Sequence, residues 1–418
     1  MHAGHRHLEC ERLNMTGILS GMRVVEGSAF VAVPLAGMTL AQMGADVIRF
    51  DRLQGGLDAH RWPVAPNGNS LFWAGLNKGK RSLAVDIAHP EGQEIVTRLI
   101  TAPGPDAGMF LTNLRVRGWM DYPALSALRE DLIMVSLTGT RRGEPAVDYT
   151  VNPSLGFPTA TGPEGSDTPV AHVLPAWDCI AGGMVVQALL AAERHRLRTG
   201  KGQIAEMSLK DVAAAMLGNL GILGEVAINN VDRAKTGNAL YGAYGQDFSC
   251  RCGARVMVIG LTDRQWRGLV KVLGMDEEIA ALGQRLNLDL RAEGNRWAAR
   301  QDITALFAPW FASRDLSEIG PLFDAAGLTW APFRSFAEAV RQDPDLSPEN
   351  PIFSLLHQPG IGTLPIPGSP INFSSLSRNA PVPAPRLGQH SEEILADVLG
   401  FASGEIGRLM DGRVVAQG

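Results

Sequence analysis

Residues 23–51, RVVEGSAFVAVPLAGMTLAQMGADVIRFD, decide the fold. RVVEG is a β-branched run closed by glycine, VPLAGMTLAQMG repeats apolar residues at helical spacing, and DVIRFD is a strand again. The stretch therefore reads as one βαβ unit. The alternation continues with RSLAVDI (81–87) as a strand, PEGQEIVTRLIT (90–101) as a helix opened by Pro90, and AGMFLTNL (107–114) as a strand. YPALSALRED (122–131) follows as a helix and LIMVSLTG (132–139) as a strand. Alternation on this scale predicts an α/β domain with a parallel sheet covered by helices on both faces.

Beyond that sheet the character changes. Gly139–Pro175 is rich in glycine and proline and reads as a long functional loop, followed by two apolar helical runs, 182–198 and 208–229. From about Arg233 a Gly/Tyr-rich loop, TGNALYGAYGQDF (236–248), leads into a short strand RVMVIGL (255–261) and several helices. The division expected is an N-terminal tail 1–14, a large domain 15–232, a smaller α/β domain 233–342, and a Pro-rich strap 343–418 ending in the helix SEEILADVLG and returning to the large domain.

Composition narrows the function classes. With 38 Lys+Arg against 43 Asp+Glu, a net charge of −5 and both signs scattered, a nucleic-acid partner is not expected. The 45% hydrophobic and 19% charged residues are those of a globular chain, not a disordered one. The longest nearly apolar stretch, Cys179–Ala192, is too short for a membrane span, and the first fourteen residues lack a signal-peptide core. A cytoplasmic protein with no membrane partner is the expectation. Four cysteines are too few for a disulfide framework and read as reduced thiols. His2, His5, His7 and Cys10 resemble a metal set but sit in the polar tail, so no metal is expected.

Several familiar motifs fail. The first turn, EGSAFVAVPLAG, lacks the G-x-G-x-x-G of a dinucleotide site, although Asp51 stands where such a site has its ribose acid. GLNKGKRS (75–82) has the wrong spacing for a phosphate loop, with Arg81 where Ser or Thr must hold magnesium. Neither H-E-x-x-H nor G-x-S-x-G occurs. The residue that stands out is Asp178 in HVLPAWDCIAGGMVV (172–186), directly before a helix. Read from that position alone, its first role is to cap the helix N-terminus. Cys179 beside it is a second nucleophile candidate, though an isolated thiol is more often inert packing.

Taken in order, several stretches resemble the class III CoA-transferases. They are 21–51, NKGKRSLAVDIAHPEGQEI (77–95), TNL (112–114), LPAWD (174–178), TGNALYGAYGQDF, VMVIGLTDRQWRGLVKVLG (256–274) and APRLGQHSEEILADVLG (384–400). The resemblance implies an interlaced homodimer, each chain with a Rossmann-like large domain and a smaller one. It also implies an acyl-CoA substrate and no cofactor beyond the CoA it carries. Asp178 falls on the family's catalytic aspartate, an ionised carboxylate that needs no base to attack a thioester. Phe30, Val31, Ala32, Arg52, Val85, Ile87, Asn113 and Leu114 match CoA contacts, and Arg117 is the candidate pyrophosphate arginine. Tyr241, Gly242, Gly245 and Gln246 match a flexible loop over the intermediate.

Departures from the pattern restrict the chemistry. Ala88, Thr138 and Thr140 replace a basic residue, a lysine and an aromatic of the formyl-CoA branch. Val147 stands before Asp148 where the racemase branch has its histidine, so α-proton transfer lacks one of its two bases. Runs such as SLFWAGLNKGKRS, RGWMDY, LLAAERHR and QPGIGTLPIPGSP resemble members that shift CoA within mesaconate, from one carboxyl to the other, in the 3-hydroxypropionate cycle. Intermolecular transfer between dicarboxylic acids is the second reading, and a non-catalytic CoA-binding scaffold the third.

Overall fold

The structure is a computed structural model that describes residues 17–418, so the tail with its histidines and Cys10 lies outside the described residues. It comprises two compact units. The first holds the described residues up to Leu155, Val173–Gly224 and Pro344–Gly418; the second holds Gly156–His172 and Glu225–Asp343. The segment 156–172 thus groups with the second unit, tied there by the Gly237 N–H donating to the Gly162 carbonyl and by an Arg300–Glu164 ion pair.

In the first unit the elements run β1 (Arg23–Gly27), α1 (Ala32–Gln42), β2 (Asp46–Asp51), α2 (Leu71–Leu76), β3 (Arg81–Val85), α3 (Pro90–Ile100), β4 (Met109–Thr112), α4 (Tyr122–Leu128) and β5 (Ile133–Thr138). After α5 (Asp148–Ser154) come α6 (Ala176–Thr199), β6 (Gln203–Ser208) and α7 (Leu209–Asn219). The strands β3-β2-β1-β4-β5-β6 are parallel throughout, as the alternating sequence requires. A C-terminal strand, Val415–Ala416, closes the edge antiparallel to β3. Two residues carry no periodicity, so this strand has no sequence signature. The same holds for the hairpin Phe353–Gln358/Gly362–Pro367, whose second arm is interrupted by prolines.

Local chemistry explains the helices that matter. α3 starts at Pro90 behind His89, whose ring nitrogen accepts from the Glu91 N–H, and buries Ile95, Val96, Leu99 and Ile100 on one face. α1 and α6 pack so closely that a Cβ on Gly182 would lie 2.8 Å from the Ala32 carbonyl. By length and hydropathy the 24-residue α6 could cross a membrane, yet Val185, Val186 and Leu189 are buried inside the unit.

Under the β1–α1 turn lies a buried charge cluster. Arg49, 1% exposed, donates through Nε to Asp51 and through Nη2 to Asp58, Asp51 and the Ser28 carbonyl, all within 2.9–3.2 Å. Its guanidinium lies 4.4 Å from the Trp73 ring. Lys80 Nζ sits 2.9 Å from Glu26 Oε1 and 2.8 Å from Oε2, and Gly37 leaves room for that carboxylate, since a Cβ there would lie 1.7 Å from it. Asp51, the acid a nucleotide ribose would need, is consumed by Arg49.

In the second unit, β7 (Tyr244–Ser249), β8 (Arg255–Gly260) and β9 (Thr329–Pro332) form an antiparallel sheet. Its core is aromatic, with Phe248 stacked on Phe311 at 4.1 Å and Tyr244 edge-on to Trp266. Only β8 is legible as a strand in the sequence, because YGQDFS has the glycine and polar content of a turn.

Removing Arg49 while keeping its partners strands two buried carboxylates, Asp51 and Asp58. Arg49→Leu is expected to lose about 3–5 kcal/mol of stability in urea unfolding. A loss below about 1 kcal/mol would show that the cluster is not what fixes this part of the fold.

Candidate active site

Parallel sheets place ligands at the carboxyl ends of their strands, where the chain order reverses. Here that point is β1, whose neighbours β2 and β4 lie on opposite sides. Two cavities open along it within the first unit. One, of about 610 Å³, is lined by Phe30 and Val31 after β1, Asn113 after β4, Leu137–Gly139 at the end of β5, and Arg61, Phe72, Asp148 and Asp178. The other, of about 440 Å³, is lined by Ser28, Ala29, Asp51, Arg52, Ile87, Leu114, Arg115 and Met120.

The turn between the cavities is held open by force. Phe30 has φ of +65°, a left-handed conformation that costs a bulky residue on the order of 1 kcal/mol or more. Asn113 over-determines it: its Oδ1 accepts from the Ala29 N–H at 2.9 Å and its Nδ2 donates to the Ala29 carbonyl at 2.8 Å. The Arg49 guanidinium holds the neighbouring Ser28 carbonyl at 3.1 Å.

Asp178 stands in the first turn of α6, not before it, and it does not cap the helix. That task falls to Asp148, thirty residues earlier: its Oδ2 accepts from the backbone N–H of Trp177 at 2.8 Å and of Asp178 at 3.3 Å. Asn152, one turn further along α5, accepts from Trp177 Nε1 at 3.1 Å. Both α5 side chains are buried. The Asp178 carboxylate is left facing the larger cavity, and among the described residues no protein group hydrogen-bonds it. Burial and the negative charge of Asp148 push its pKa up to about 6, with Arg61 opposing. Cys179 is no rival nucleophile. Its thiol is pushed up by burial and by the same two carboxylates, the reverse of activation.

The sequence-predicted contacts separate into groups. Phe30, Val31 and Asn113 line the larger cavity, while Arg52, Ile87 and Leu114 line the smaller. Ala32 is buried at the start of α1. Val85 is fully buried, with its side chain in the apolar core beneath the sheet, so it is unavailable to a ligand. Arg117 is exposed and lines neither cavity; Arg115, two residues earlier on the same loop, lines the smaller one. Thr138 lines the larger cavity, but its hydroxyl is engaged by the Thr140 carbonyl.

The expected glycine loop belongs to the second unit and is only partly a loop. Gly245 and Gln246 lie in β7, paired with Ile259 and Val258, and a Cβ on Gly245 would come within 2.8 Å of both Ile259 and Leu240. Its missing side chain therefore serves strand packing. Gly242 has φ of +80° with open space around it, and Tyr241 donates to Glu225 with the Arg233 guanidinium 4.0 Å from its ring. Sequence reading missed Arg61, Phe72 and Asp148 as site residues. Only the acid after Val147 carried any signal.

Comparison with known proteins agrees with this architecture. A family model described as CoA-transferase family III matches residues 19–391. The chain is 56% identical to a protein of Chloroflexus aurantiacus named 2-methylfumaryl-CoA isomerase, over 96% of this chain and 98% of that one. It is 26% identical to the mouse succinyl-CoA:glutarate CoA-transferase, over 96% and 90%. Among solved structures, a CAIB/BAIF family protein from Brucella suis superposes with a TM-score of 0.74 at 26% identity, covering 92% of this chain and all of that one.

Because Asp178 ionises less readily in the fold than in the unfolded chain, its stabilising contribution is fully present in acid, below its unfolded pKa, and is lost as pH rises through about 6. Asp178→Asn stays neutral throughout. Its stability relative to the parent should improve between pH 5 and pH 8 by on the order of 1 kcal/mol, read from urea midpoints at both values. A difference independent of pH would contradict the assignment.

Proposed function

The chain belongs to CoA-transferase family III, and we propose that it converts 2-methylfumaryl-CoA into 3-methylfumaryl-CoA by moving CoA between the two carboxyl groups of one mesaconate molecule. The substrate comes from the 56% identical relative's name. The mechanism rests on one observation: a carboxylate on the first helical turn, relieved of capping by Asp148, that faces a cavity without a hydrogen-bond partner among the described residues.

In this reading Asp178 attacks the thioester carbonyl, the C–S bond breaks, and CoA leaves as thiolate from a mesaconyl-aspartyl anhydride. The thiolate then takes the aspartyl carbonyl and expels mesaconate as a carboxylate, leaving an aspartyl-CoA thioester. The other carboxylate of the retained diacid attacks that thioester, releasing the thiolate again, and the thiolate closes on the new acyl carbon and frees Asp178. The bonds balance without a metal or an external base. With a pKa near 6 the attacking carboxylate is mostly ionised at neutral pH yet more basic than an ordinary aspartate, which favours nucleophilic attack. Retention of the diacid makes the return step intramolecular in effect, with the concentration advantage that brings.

Arg52 and Arg115, flanking the smaller cavity, suit the phosphates of CoA. An interlaced homodimer is part of the same proposal, and Val173, Leu174, Leu197, Leu220 and Leu223 of the first unit are exposed apolar residues that a second copy would cover. A cytoplasmic location accords with it.

The test mixes the protein with the carbon-1 CoA ester of mesaconate and isotopically labelled free mesaconate. The expected product is the carbon-4 ester without label, and Asp178→Ala should abolish its formation while CoA binding persists. Label in either ester would replace the proposal by transfer between separate dicarboxylic acids, and no reaction would favour a binding scaffold.

A further inference from the structure

The proposed reaction sets an electrostatic problem. Its substrate carries an ionised carboxylate at the end opposite the thioester, and the cavity that must receive it already contains two acids, Asp148 and Asp178. A third anion brought beside them, out of water, would be repelled unless a cation met it. Among the described residues lining this cavity there is one cation, Arg61.

Arg61 is held in a way that leaves its guanidinium fork unpaired, although its charge already acts on Asp178 from a distance. Its guanidinium carbon lies 5.4 Å from the centre of the Phe30 ring and 5.2 Å from that of Phe72, so aromatic faces support it from two elements. Its backbone is fixed as well: the Arg61 N–H donates to the Asp58 carbonyl at 3.2 Å, and the Arg61 carbonyl accepts from Ser70 Oγ at 2.6 Å. Asp58 is in turn held by Arg49. Yet among the described residues no carboxylate forms an ion pair with Arg61. The planar fork of a guanidinium matches a carboxylate with two parallel hydrogen bonds.

Resting on the proposed reaction, we infer that Arg61 binds the free carboxylate of the substrate diacid and keeps the diacid in the cavity while CoA is on Asp178. Pairing one carboxylate with Arg61 leaves the other for attack on the aspartyl thioester. When CoA has moved, the two carboxyl groups exchange roles. The site therefore selects dicarboxylic acyl groups over monocarboxylic ones, and Arg61 sets that selectivity. The aromatic supports serve it too, since Phe30 and Phe72 present faces to the guanidinium and apolar surface to the branched carbon skeleton.

The experiment compares the CoA thioester of mesaconate with the same thioester whose free carboxylate is blocked as a methyl ester. Because the blocked thioester has no second carboxylate to complete the transfer, both are followed in the first half-reaction alone: the second-order rate of hydroxylamine trapping on Asp178 is measured with each thioester for the parent, Arg61→Lys and Arg61→Gln, and the ratio of free to blocked is taken. Loss of a charge-assisted pair predicts that Arg61→Gln lowers the ratio by about 30-fold, with Arg61→Lys in between. Labelled free mesaconate should also enter the product in Arg61→Gln, because the released diacid escapes. If both thioesters lose rate equally in Arg61→Gln and the ratio survives, the inference is overturned while the proposed reaction stands. A parent that neither isomerises the mesaconyl thioester nor is trapped on Asp178 by it overturns both.

Discussion

The buried guanidinium of Arg49 is the constraint on which the rest of this site depends. It comes from the middle of β2, where side chains are expected to be apolar, and it gathers the β1–α1 turn through Ser28, the end of β2 through Asp51, and the loop beyond through Asp58. An ion so deeply desolvated is tolerable only because every face is occupied, by carboxylates, a carbonyl and the Trp73 ring. The turn it anchors carries the strained Phe30, and the loop it anchors carries Arg61. Strain and charge at the larger cavity are thus supported from a cluster that does not line it.

A second constraint acts on the other wall. Helix N-termini leave backbone N–H groups that some acceptor must satisfy; the capping residue ordinarily supplies it, but at α6 that residue is Pro175, which has no side-chain acceptor. Here a buried acid from another helix meets that demand. Asp178 is thereby released, and the same neighbour that released it raises its pKa by charge repulsion. One substitution site, Asp148, couples helix stability to the basicity of the carboxylate facing the cavity. The cost is a native state less stable at neutral pH than an uncharged residue would give, the usual exchange of stability for reactivity.

How much of this was legible in the sequence follows from the range of the signals. The βαβ alternation is local and periodic, so the order of strands β1–β5 and their helices could be read directly. The antiparallel edge strand at Val415 could not, because two residues show no pattern and their partner lies more than 300 positions away. β7 escaped for a different reason: its glycine serves close packing against Ile259, which resembles a turn in one dimension. Asp178 was visible by its position before an apolar helix and by family resemblance, but its role as a cap was the natural local reading. Only the tertiary contact with Asp148 removes that role. Arg61 and Arg115 sit in irregular loops, where spacing says nothing about direction. Val85, chosen by resemblance, turned out to be committed to the core.

The proposed reaction stands or falls on Asp178 carrying CoA covalently during turnover. Hydroxylamine added during steady turnover of the mesaconyl thioester, followed by mass spectrometry of the peptide spanning LPAWDC, tests it most directly. The expected result is a hydroxamate on Asp178 that forms only when thioester is present and coincides with loss of activity. Continued turnover at full rate with that peptide unmodified would contradict it.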